Sequence, residues 1–211
     1  MASRIEAVVF DIGETLVDET RLLGRWADWL GVPRLTFFAV LGARIVRGEP
    51  TSGFLDPFDP PFDPKQELAR RRELGEAGDA DASDLYDDVI PTLQALRERG
   101  LRIGASGNQP KEAHAWLSAL EPAFDLVGIS ELWGVRKPQA AFFARICDEL
   151  NLAPAQIAYV GDRIDDDVIP AQAAGMLDIH IRRGPFGYIM KSDVVPTRSI
   201  KSLAEIPGLL D

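Results

Sequence analysis

The sequence predicts an α/β fold: a parallel sheet with helices on both faces, and a small helical unit inserted after the first strand. Three observations predict it. Ala7-Val8-Val9-Phe10 is an apolar run without polar alternation, which reads as a strand buried on both faces. From residue 87 onward, strands alternate with single helices, and such units imply right-handed crossovers and parallel pairing. Between them, residues 18–86 carry helical spacing and no clear strand.

The first strand spans 5–10 and ends at Asp11, with Gly13 allowing a sharp turn behind it. Thr20 is placed to cap a helix carrying Leu22, Leu23, Trp26, Trp29 and Leu30 on one face, ended by Gly31. Pro33 suits the first turn of a second helix over 35–47. Residues 49–64 repeat Asp-Pro three times, a proline density that forbids helix and central strand alike, so a long loop is expected. A polar helix follows over 65–74, then a link over 75–82. Next come a helix over 83–99, in one or two parts around Pro91, a strand over 101–105 ending at Ser106, and a helix over 109–120. A strand over 126–129, a helix over 139–150, a strand over 157–160 and a helix over 166–174 stopped by Gly175 continue the alternation. A last strand over 177–181 precedes Arg182-Arg183-Gly184-Pro185, and 199–210 adds a short helix and an apolar end.

Composition narrows the function classes. Of 211 residues, 46% are hydrophobic and 27% charged, with a net charge of −10. Such a surface is repelled by phosphate backbones and anionic membranes, so neither nucleic acid nor membrane is an expected partner. The single cysteine, Cys147, lies in an apolar helical run and reads as packing, which fits a reducing compartment. Asp11 follows too soon for a signal peptide, and no apolar run is long enough to span a bilayer. A cytoplasmic monomer or homodimer is expected.

Four segments that follow predicted strands end in polar residues: Asp11, Ser106, Lys137 and Asp162. In a parallel sheet these ends share one edge, where α/β folds bind ligands. Two carboxylates with open positions suit a hard cation, best Mg²⁺. A lysine and a hydroxyl beside it suit a phosphoryl group, which Asp11 would be free to attack.

The ordered set Phe10-Asp11-Ile12-Gly13-Glu14-Thr15-Leu16, Ser106-Gly107-Asn108, Gly134-Val135-Arg136-Lys137-Pro138 and Gly161-Asp162-Arg163-Ile164-Asp165-Asp166-Asp167 resembles the haloacid dehalogenase-like hydrolase superfamily. The resemblance implies a Rossmann-like core over 1–17 and 87–211 and a helical cap over 18–86 that closes over a small phosphorylated substrate. It implies a nucleophile in Asp11, which forms an aspartyl-phosphate. Ser106 with the amides of Gly107 and Asn108 would bind the phosphoryl oxygens, and Lys137 would hold nucleophile and phosphate together. It assigns Mg²⁺ to Asp11, the carbonyl of Gly13 and Asp162, with Asp167, or else Asp166, supporting Lys137 and the metal's waters.

One position departs from that pattern. The family's phosphatases carry an aspartate two residues after the nucleophile as general acid and base; here it is Gly13. Its loss removes a proton donor worth roughly 10²–10⁴ in rate. Glu14 or a cap acid would substitute, the substrate would have a good leaving group, or the reaction would differ. On these grounds restoring the acid by Gly13→Asp is expected to raise turnover on poor leaving groups. Two alternatives stand beside the phosphatase: a degenerate protein that binds phosphate or a partner, and a phosphonatase-like C–P hydrolase using Lys65, the lone cap lysine. Dehalogenases of the family lack the metal-binding aspartate, so Asp162 argues against that chemistry.

The remaining candidates have plainer readings. His114 reads as surface or packing and His180 as structural. Arg182 and Arg183 suit either an anionic substrate or the sheet edge, and Trp26 and Trp29 read as core.

Overall fold

A computed structural model describes residues 4–50 and 53–210. Residues 51 and 52 of the expected Asp-Pro loop lie outside the described residues. The chain runs β1 (Ala7–Phe10), α1 (Thr20–Leu30), α2 (Arg34–Val46), α3 (Pro64–Glu73), α4 (Val89–Glu98), β2 (Arg102–Gly107), α5 (Ala113–Ser118) and β3 (Leu126–Ile129). It continues with α6 (Ser130–Trp133), α7 (Ala140–Leu150), β4 (Ile157–Gly161), α8 (Ile169–Ala174), β5 (Leu177–Ile181), α9 (Gly184–Ile189), β6 (Arg198–Ile200) and α10 (Ile206–Leu209).

The sheet order is β3-β2-β1-β4-β5-β6, and each pairing is parallel. β1 is therefore central, and all four of its residues are buried. Its pleat splits them between two cores. Val8 and Phe10 pack with Leu93 and Leu96 of α4, Leu117 of α5 and Ile206 of α10. Ala7 and Val9 face the other way, onto Phe142, Phe143 and Ile146 of α7 and Ala171 of α8. Helices on both faces explain why the strand needs no polar alternation.

The segment between β1 and α3 has a third apolar cluster, Trp26, Ala27, Phe37 and Leu55, with Trp29, Phe54 and Phe58 packed against it. The expected core role of the tryptophans holds there. Gly31 ends α1 in a left-handed conformation, φ 67°, as expected. No single helix among the described residues is long and apolar enough to cross a membrane.

Several expectations need correction. The helix expected over 83–99 is a single 3₁₀ turn at Ala82–Asp84 followed by α4. The helix over 109–120 shrinks to α5. The helix over 166–174 becomes a wide π-type turn, Ile164–Val168, before α8. Pro170 explains the break: it has no N–H for a continuous α-helix but fits the first turn of α8. The strand over 177–181 is not the last: residues 199–210 hold part of a sixth strand, β6, with a 3₁₀ turn at Leu203–Glu205 and α10, and α9 lies where the sequence predicts no element.

Candidate active site

The site follows from register. Phe10 sits opposite Ala105 of β2 and Val160 of β4. The next residues along these strands, Asp11, Ser106, and Gly161 with Asp162 behind it, therefore emerge together at the carboxyl edge. The chain leaves β1 toward β2 and later returns on the other side through β4, so this edge is the topological switch point of the sheet.

Lys137 reaches the same point from the loop after α6. Asn108 fixes that loop: its Oδ1 accepts from Lys137 N at 2.9 Å and its Nδ2 donates to Lys137 O at 3.1 Å. The ammonium then lies between two carboxylates, 2.6 Å from Asp11 Oδ1 and 2.5 Å from Asp167 Oδ1. Asp167 is held by its second oxygen, which accepts from Arg163 N at 2.9 Å. Two glycines make the approaches possible. A Cβ on Gly161 would lie 2.3 Å from Asp167 Cγ, and one on Gly107 would lie 2.7 Å from Asp11 Oδ1.

Ligand atoms of Asp11, Asp162 and Asp167 all fall within 4.8 Å of one another, and all three residues are buried. Among these groups Lys137 is the sole cation. Burial works against its charge, but Asp11 and Asp167 outweigh burial and hold the ammonium protonated well above the usual lysine range. Burial, with Asp167 and Asp11 adding, pushes Asp162 well above the usual carboxylate range. Burial and Asp11 push Asp167 up to about 7 against the pull of Lys137. Three buried acids against one ammonium leave a charge deficit, and an oxygen-only donor set matches a hard divalent cation. Ser106 Oγ is fully buried with no hydrogen-bond partner, as expected of a donor kept for a ligand. The residues present therefore fit Mg²⁺ and a phosphoryl group side by side.

Of the two acids expected to support the site, Asp167 contacts Lys137, whereas Asp166 lies beside Arg163 at 3.5 Å and lines the cavity. That cavity, roughly 220 Å³, is lined by Asp11, Gly13, Glu19, Asn108, Lys137 and Asp162 among others.

The surroundings of Gly13 were not legible in the sequence. Glu14, at φ 52°, also lines the cavity but commits its carboxylate to two hydrogen bonds, from Glu19 N at 3.0 Å and from Tyr86 OH at 2.6 Å. Burial raises its pKa against the Tyr86 hydrogen bond. Glu19 takes the vacated side: a Cβ on Gly13 would meet its Oε1 at 2.6 Å and its Cδ at 2.8 Å. Glu19 stands at the N-cap of α1 yet makes no side-chain cap bond; Asp18 Oδ1 accepts from Thr20 N instead. Burial, with Glu14 and Asp11 adding, pushes Glu19 up to about 8. The sequence signal was an acid pair before a helix, Asp18-Glu19, which does not say which acid turns inward.

Other candidates resolve as structure. His180 Nε2 donates to the carbonyl of Asp162 at 3.0 Å, holding the loop that presents it. Arg183 donates to Thr15 O and Asp88 Oδ2 and stacks on Tyr86, so it ties the sheet edge to the loop after β1. Lys65 and His114 are exposed, and Cys147 is half-buried.

A profile of haloacid dehalogenase-like hydrolases matches residues 5–175. A glyceraldehyde 3-phosphate phosphatase from Methanopyrus kandleri is 41% identical over 104 residues, 48% of this chain and 45% of that protein. The chain thus spans about half the length of the curated relatives it matches. Among solved structures, a phosphatase of the family from Thermococcus onnurineus matches 98% of both chains with a TM-score of 0.66 and 25% identity. An L-2-haloacid dehalogenase matches 99% of both with a TM-score of 0.74 and 19% identity, a likeness of fold alone. With the family profile covering most of the chain and four motif segments converging at one sheet edge, the chain belongs to the haloacid dehalogenase-like hydrolase family.

Proposed function

We propose that the chain is a Mg²⁺-dependent phosphatase of a small phosphorylated metabolite, acting through an aspartyl-phosphate on Asp11. The observation that carries this reading is the buried group of Asp11, Asp162 and Asp167 around Lys137, with an unpartnered Ser106 Oγ at the adjoining strand end. Asp11, Asp162 and the carbonyl of Gly13 would hold the ion. When bound, Mg²⁺ would supply positive charge that stabilises the charge on the phosphoryl oxygens.

The chain's own residues do the rest. Asp11 attacks phosphorus as its carboxylate is oriented by Lys137. Ser106 Oγ and the amides of Gly107 and Asn108 donate to the phosphoryl oxygens, and Lys137 offsets charge that builds during transfer. Asp167 holds Lys137 in place. Residues 18–86 act as a cap: their separate apolar cluster and their residues on the cavity wall support this role. The shared phosphatase names of relatives support the reaction class, and Asp162 beside Asp11 supports metal-assisted phosphoryl transfer over dehalogenation. The exposure of Lys65 gives no support to a Schiff-base route, which needs a buried lysine.

The test is Mg²⁺-dependent phosphate release from para-nitrophenyl phosphate, whose leaving group needs little acid help. Release that stops in Asp11→Asn supports the proposal. Release that persists in Asp11→Asn, or no release by the wild type from this ester and a panel of metabolite esters, contradicts it.

A further inference from the structure

Phosphate monoester hydrolysis needs a proton for the leaving oxygen, and Gly13 has no side chain to supply one. The place such a side chain would fill is not empty. The carboxyl of Glu19 is there, 2.6 Å from where a Gly13 Cβ would begin. Glu14, the neighbouring acid in sequence, is committed through both oxygens to Tyr86 and the Glu19 amide. Glu19 is free by comparison, because Asp18 performs the capping that residue 19 would otherwise do.

Its location also fits the task. Glu19 lines the cavity that holds Asp11, Lys137 and Asp162. It also lines a second cavity, roughly 240 Å³, walled by Leu22, Trp26 and Leu68 of the inserted helices and by Trp116 of α5. Glu19 thus lines both the cavity of the phosphoryl-transfer residues and an adjoining, more apolar one suited to the alcohol part of a substrate. In-line attack by Asp11 sends the leaving oxygen away from Asp11, so its proton donor must come from a side chain other than Asp11 on the wall of this site.

We propose that Glu19, delivered from the start of α1, is the general acid and base of this site and replaces the aspartate absent at Gly13. The inference rests on the phosphatase reading above. In the first half-reaction an Asp11 oxygen bonds to phosphorus, the bond from phosphorus to the leaving oxygen breaks, and that oxygen takes the proton of Glu19. In the second, the Glu19 carboxylate takes a proton from water as the water oxygen bonds to phosphorus. The phosphorus–Asp11 bond then breaks, returning the Asp11 carboxylate and releasing phosphate. Because Glu19 belongs to the inserted segment, the proton donor arrives with the element that covers the substrate, and cap position and proton transfer are coupled.

The placement changes the expectation for Gly13→Asp. The new side chain would displace the flexible end of Glu19 and put one carboxyl in place of another, so this variant should gain little turnover on poor leaving groups.

The experiment compares wild type and Glu19→Gln with Mg²⁺ on para-nitrophenyl phosphate and on phenyl phosphate, esters of similar shape whose leaving groups differ in acid demand. In Glu19→Gln, kcat/KM on phenyl phosphate should fall by about 10²–10⁴ and on the nitrophenyl ester by at most about tenfold. Acid quenching should also find phosphorylated protein accumulating, because water attack slows. Gly13→Ala gives a second route: its methyl displaces the flexible end of Glu19 without removing the residue, and should shift the ester ratio in the same direction. Equal losses on both esters in Glu19→Gln and an unchanged ratio in Gly13→Ala overturn the inference while leaving the phosphatase reading intact. A wild type inactive on both esters overturns that reading and this inference together.

Discussion

Mg²⁺ should stabilise this protein far more above pH 8 than below pH 6. Without an ion, Asp11, Asp162 and Asp167 share one ammonium, with Glu14 and Glu19 close by. Burial first, and neighbouring acids second, place Asp167 at about 7 and Glu19 at about 8. In the unfolded chain such acids titrate near about 4. Between these values the folded chain holds protons that the unfolded chain has released, so ion-free stability falls as pH rises from about 4 to about 8. A divalent cation replaces those protons. At high pH it displaces fewer; below about pH 7 it must expel at least one more, and its affinity drops about tenfold per pH unit. At about pH 5.5 affinity is then about 30-fold weaker. With Mg²⁺ at about 100 times its high-pH Kd, stabilisation is about 2.7 kcal/mol at about pH 8.5 and under about 1 kcal/mol at about pH 5.5. For a chain of this size those figures correspond to Tm rises of about 5–11 °C and about 2–4 °C. Differential scanning fluorimetry with MgCl₂, against EDTA at each pH, reads both. Equal shifts at the two pH values, no shift at either, or a full shift retained by Asp162→Asn would refute the reasoning.

Other predictions concern the parts that position the site. Asn108→Ala removes two hydrogen bonds to the Lys137 backbone and should lower stability by about 1–2 kcal/mol, with kcat falling more than KM changes; chemical denaturation and steady-state kinetics check it, and an unchanged kcat counts against the clip. Gly161→Ala drives a methyl onto Asp167 Cγ and should cost about 1–3 kcal/mol and most of the turnover, so a wild-type melting curve would contradict it. Tyr86→Phe leaves one Glu14 oxygen without its donor and should lower stability by about 1.5–3 kcal/mol, with the loss shrinking in acid as Glu14 protonates.

The sheet was readable because β1 and β4 are apolar throughout, and only burial on both faces permits that. The convergence of Asp11, Ser106, Lys137 and Asp162 followed from placing each after a parallel strand, with no distance known. What was hidden has identifiable causes. β6 is three residues long, too short for a period to show. The π-type turn before α8 depends on Pro170 acting inside an apparently helical run. Gly13 reads as a loss when the chain is scanned in order, because the acid beside it comes from six residues downstream, at the start of α1. The backbone turn at Glu14, at positive φ, sends one acid to Tyr86 and leaves room for the other. Neither direction can be deduced from residue type.

The most direct measurement is the site of covalent phosphorylation. The protein is mixed with para-nitrophenyl phosphate and Mg²⁺, quenched in acid within one turnover, digested and examined by mass spectrometry. Phosphate is expected on the peptide carrying Asp11, absent when EDTA replaces Mg²⁺ and absent in Asp11→Asn. Phosphate on another residue, or turnover without any phosphorylated peptide, would contradict the aspartyl-phosphate mechanism.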